Sequence, residues 1–126
     1  MRPLLFRQKL KPAYVHNNEQ FHYWGHVEDE LFISPCGKND VIGDSEQFTE
    51  MHHSGGEKSF EGDIVKFITS APDVKIGVVA YYAGAPVIHD GKNNWHYSQI
   101  NCENYELVGN KHENPELYTK ILSNNN

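Results

Sequence analysis

Short β-prone runs, each closed by turn residues, recur along almost the whole chain, and that punctuation leaves little but a small all-β fold. From Phe21 the order Phe-His-Tyr-Trp-Gly-His-Val alternates. Phe21, Tyr23, Gly25 and Val27 therefore share one face, and His22, Trp24 and His26 the other. Glu30-Leu31-Phe32-Ile33 is stopped by Ser34-Pro35, and Val41-Ile42 runs into Gly43-Asp44, which reads as a turn. Residues 51–59 contain His52-His53-Ser54-Gly55-Gly56 and read as an exposed connector. Further strands are expected at 63–68 and 75–82. Val87-Ile88-His89 then leads into the hairpin dipeptide Asp90-Gly91. Trp95, Tyr97 and Ile100 mark the returning strand, and Tyr105 to Val108, closed by Gly109-Asn110, mark the last.

One helix is predicted, over residues 114–122. Asn114 stands at the N-cap, Pro115 at the first helical position and Glu116 in the first turn, with an apolar stripe of Leu117, Tyr118, Ile121 and Leu122. The expected fold is therefore mainly β, a small barrel or sandwich with an SH3-like C-terminal half and one short C-terminal helix. It is read as a single domain over 1–126, with an N-terminal β part at 1–50, the barrel at 59–110 and the helix at 114–122. A chain of 126 residues buries roughly two-thirds of its unfolded surface and has no room for separate cofactor and substrate domains.

Charge narrows the function classes. Eleven Lys and Arg against 17 Asp and Glu give a formal charge of −6, so no basic excess exists to neutralise a phosphate backbone. Cys36 and Cys102 form no Cys-x-x-Cys and read as reduced thiols of a cytoplasmic protein. The apolar stretch 76–88 is interrupted by Gly, Ala and Pro and is too short for a membrane span, and the N-terminal residues carry no signal-peptide core. No membrane partner is expected.

Residues 47–65 carry a recognisable pattern: Gln47, Phe48, Thr49, a polar turn with Gly56, then Phe60-Glu61-Gly62-Asp63-Ile64-Val65. With Met1-Arg2 and Phe6-Arg7 before it, and Tyr105 to Asn110 and Glu113 to Leu117 after it, the chain resembles the YopX family of small phage and prophage proteins. Glu50 stands where members usually have glycine, and the Trp-Asp that often follows Phe-Arg is missing after Arg7. The resemblance implies a phage or prophage origin and a mainly β fold. It implies no catalytic residues.

Glu61-Gly62-Asp63 reads as a structural turn, the glycine permitting positive φ and Asp63 setting the start of a strand. His22 and His26 lie about 13 Å apart on a straight strand, too far to share one ion. No zinc spacing, P-loop or nucleophile elbow occurs, so no metal, no cofactor and no catalytic residue is expected. Cys36 has no base placed beside it by the sequence. Aromatic residues favour binding, with Trp24, Tyr82, Trp95 and Tyr97 as candidates. The expected partner is a host or phage protein. Nucleic-acid or nucleotide binding through aromatic loops is the alternative, and homo-oligomerisation is left open. Protonating all eight histidines would move the formal charge from −6 to +2, which predicts self-association on mild acidification.

Overall fold

The computed structural model describes residues 5–15, 18–26, 32–69, 73–100 and 104–123. Met1-Arg2, Val27, Glu30-Leu31 and Cys102, all invoked above, lie outside the described residues. The chain divides into two compact units, Met1–Phe48 and Thr49–Asn126. Its strands form two antiparallel sheets, ordered β3-β2-β1-β4-β5 and β10-β6-β7-β8-β9.

The first unit holds β1 (Leu5–Leu10), β2 (Phe21–His26), β3 (Phe32–Ile33) and the start of β4 (Val41–His52). β1 is the centre of its sheet: Arg7 lies between Tyr23 and Glu46, and Lys9 between Phe21 and Ile42. Gly43-Asp44 is not the turn expected from the sequence; it lies inside β4, a continuous strand of 12 residues. The pairing of β1 with β4 slips between Arg7 and Lys9, and Gly43 sits in that slip at φ +73. A glycine there lets the strand bulge and keep its course, where a side chain would be strained. The buried Gln8 amide clamps the loop before β4. Its Oε1 accepts from the Cys36 N–H at 2.8 Å, and its Nε2 donates to the Cys36 carbonyl at 3.3 Å.

The second unit holds β5 (Lys58–Phe60), β6 (Asp63–Ile68), β7 (Val74–Tyr82), β8 (Ala85–His89), β9 (Asn94–His96), β10 (Glu106–Asn110) and α1 (Pro115–Leu122). Alternation sorts β6 into two layers. Val65 and Phe67 join Val79, Ile88 and Tyr105 in one core, against which Met51, Trp95, Tyr97 and Ile100 pack. Ile64 turns to the opposite face with Val78, where α1 covers both through Ile121, with Leu117 and Tyr118 beside it. Pro115 starts the helix as its composition demands, but Asn114 does not cap it with its side chain. That amide oxygen turns back to accept from the Asn110 N–H at 3.2 Å, locking the turn that joins β10 to α1.

The mainly β expectation holds, with one short C-terminal helix in its expected place. The barrel does not: both sheets are open. β9 ends after three residues in the 3-10 turn Tyr97–Gln99, so Tyr97, read as part of a strand, stands outside the ladder. β10, at the other edge, has its own register slip between Leu107 and Gly109. Two short or kinked edge strands do not supply the continuous pairing that closure requires.

Candidate functional site

Thr49, Phe60, Asp63 and Tyr105 of the recognisable pattern meet in one buried polar knot in the second unit. The turn before β6 depends on Gly62 at φ +87, and Asp63 follows it with only 2% of its surface exposed. Asp63 Oδ2 accepts the Phe60 N–H at 2.9 Å, closing its own turn, and also meets His53 Nε2 at 3.1 Å. His53 is 3% exposed, which corrects its reading as part of an exposed connector; its neighbours Ser54 to Glu57 do stay outside. Because a carboxylate only accepts, Nε2 carries the hydrogen of that bond. His53 Nδ1 is buried with no hydrogen-bond partner among the described residues.

The same imidazole stacks on Tyr105 with centroids 4.8 Å apart. Tyr105 is fully buried, and its hydroxyl joins Ser59 Oγ at 2.5 Å and the Tyr97 hydroxyl at 2.8 Å. Thr49 Oγ1 donates to the Ser59 carbonyl at 3.0 Å and accepts the Met51 N–H at 3.2 Å. Burial pushes both phenols above their ordinary value. Histidine, carboxylate and hydroxyl are the residue types of a hydrolytic relay. Here, however, the hydroxyls bond one another, and Ser59 presents no surface to solvent. Tyr105 is the hub of the knot, a role that its place at the start of a β-prone run does not announce. Its partners lie 46 and 8 residues away, a separation no local pattern encodes.

The four aromatic candidates divide between the two units. Trp24 lies in the first unit, stacked on Phe6 at 4.4 Å with its indole N–H donating to Ser45 Oγ at 2.9 Å. Trp95 is half-buried against the core, and its indole donates to Asp90 Oδ2 at 2.9 Å. Asp90 Oδ1 accepts from the backbone of Lys92 and Asn93, so the hairpin loop is fastened from within. Burial opposes ionisation of Asp90, but those two N–H groups, the indole and Lys75 together outweigh it and lower the carboxyl's pKa. Tyr97 is drawn into the knot. Only Tyr82, 60% exposed next to the β7–β8 turn, stands free on the surface.

A different aromatic group shares one face of the first sheet. The rows Ile42–Lys9–Phe21 and Glu46–Arg7–Tyr23 lie side by side, because residues paired across strands project to the same side. Arg7, 5% exposed, donates through Nε to Glu46 Oε1 at 2.6 Å, and its guanidinium carbon sits 4.2 Å from the Phe21 ring centroid. Lys9 Nζ donates to the carbonyls of Leu10 and Gln20 and to Gln20 Oε1. Above these fixed charges Tyr23 and Ile42 are exposed by 37% and 45%. The alternation of β2 made the shared face of Phe21 and Tyr23 readable; the arginine beneath them was not.

Among the described residues no group of three or more His, Cys, Asp or Glu could hold a metal ion. The Cys36 thiol is pushed up by its partial burial and by Asp40, which disfavours the thiolate. No helix among the described residues is long and apolar enough to cross a membrane. No curated protein matches the chain. The family model described as YopX protein matches residues 8–119, which takes in the polar knot, the turn at Gly62-Asp63 and the β10–α1 junction. By that match the chain belongs to the YopX family.

Proposed function

We propose that this YopX-family chain is a phage- or prophage-encoded accessory protein without catalytic activity that acts in the host cytoplasm by binding a host or phage protein. One observation carries the reading: the exposed pair Tyr23 and Ile42, backed by Phe21, on a sheet face stiffened by the Arg7–Glu46 ion pair. Aromatic side chains beside arginine are the usual anchors of protein interfaces, and a strand-borne face loses little entropy when a partner docks. The buried knot supports the non-catalytic half of the reading, since its hydroxyls are consumed by one another.

The test is capture of partners by tagged protein from lysate of a phage-infected host, with and without nuclease. A parallel arm uses the variant carrying Tyr23→Ala and Ile42→Asp. One protein recovered in near-stoichiometric amount, insensitive to nuclease and lost with the variant, is the expected result. Recovery that disappears with nuclease would overturn the proposal in favour of nucleic-acid binding.

A further inference from the structure

The second sheet has an outer face that α1 covers only in part. Register fixes which residues share it: Ile64 pairs with Val78, Lys66 with Ile76, Ile68 with Val74, and Glu106 with Lys66. α1 shields Ile64 and Val78. Beyond it along β7, Ile76 and Val74 remain 38% and 60% exposed, next to a half-buried Ile68. On edge strand β10, Leu107 pairs with Val65 and so belongs to the other face. Among these apolar residues stand two charges of opposite sign, Lys66 and Glu106, directly opposed across β6 and β10. Both are exposed, and neither makes an ion pair among the described residues.

We propose that this face is a two-fold docking surface for a second copy of the chain. An isologous contact needs a patch complementary to itself. A two-fold axis passing between Lys66 and Glu106 sets each lysine against the other copy's glutamate, while Ile76 and Val74 meet the apolar residues beside them. The charge arrangement selects a second copy as occupant, because an unrelated partner has no reason to match a paired plus and minus with its own inverse. The patch is small, so the dimer is a weak, concentration-dependent one. It lies on residues other than those in the protein-binding proposal and does not rest on it.

Sedimentation equilibrium of the full chain, at concentrations up to about 1 mM, reads the association directly. Lys66→Glu and Glu106→Lys, each placing like charges opposite one another in the dimer, are expected to weaken it by about tenfold or more. The double variant Lys66→Glu with Glu106→Lys restores the complementarity and is expected to return to within about threefold of the wild type. Ile76→Asp should also weaken it. All three positions are exposed, and far-UV circular dichroism checks that each variant keeps its fold. A wild type monomeric throughout, a dimer indifferent to the single changes, or a double variant as weak as the singles would each overturn the proposal.

Discussion

Asp63 does three jobs at once: it closes a turn, starts β6 and holds a buried imidazole. Replacing it with alanine leaves the Phe60 N–H and His53 Nε2 without their acceptor in a site closed to water. The expected cost is about 2–6 kcal/mol, two buried donors left unsatisfied at about 1–3 kcal/mol each. Asp63→Asn keeps an amide oxygen for the Phe60 N–H and should cost clearly less. Urea unfolding followed by far-UV circular dichroism orders the variants, and an alanine variant as stable as asparagine would remove Asp63 from this role. The turn itself was legible, because a glycine before an acid at the head of an apolar strand has a local physical meaning. The partnership with His53 was not: two adjacent histidines in a glycine-containing stretch look alike in sequence. Only the strand end at His52 decides that one points out and the other is buried.

Among the elements, those whose two faces meet different surroundings were the readable ones. β6 and β7 alternate because one face builds the core and the other meets α1, and the hairpin after His89 carries its own turn chemistry in Asp90-Gly91. β4 was misread because Gly43 usually signals a turn, and whether a glycine bends a strand or ends it depends on the neighbouring β1, which local sequence does not contain. Gly77 in β7 is a case where the neighbour decides energetics as well. A Cβ there would lie 2.7 Å from Ile88 Cγ2 and 2.8 Å from the His89 carbonyl oxygen, so β7 and β8 can approach only because the residue is glycine. Gly77→Ala is expected to destabilise the second unit by about 1–3 kcal/mol through overpacking. Since β8 backbone forms one side of the clash, the strain should appear as faster amide hydrogen exchange at Ile88 and His89. Unchanged exchange together with an unchanged unfolding midpoint would show that the sheet relaxes at no cost.

For the whole molecule, the governing quantity is the ratio of charge to exposed apolar surface. A formal charge of −6 keeps copies apart at neutral pH, while ten large hydrophobic side chains among the described residues are substantially exposed. Histidine is the side chain type that gains charge between about pH 5 and 8, and this chain has eight. Acidification therefore takes the formal charge from −6 towards +2 and through zero, where long-range repulsion vanishes and exposed apolar patches meet unopposed. Static light scattering should pass through a maximum between about pH 5 and 6.5 and fall again on returning to neutral pH. This association differs from the two-fold dimer in its dependence: it needs only a vanishing net charge and engages every exposed patch. The Ile76→Asp variant, in which the dimer is weakened, should still show the maximum, displaced to slightly lower pH by its added carboxylate. A flat profile for the wild type would mean that the exposed side chains are too dispersed to drive association even without repulsion. A maximum abolished by Ile76→Asp would mean that a single patch carries it.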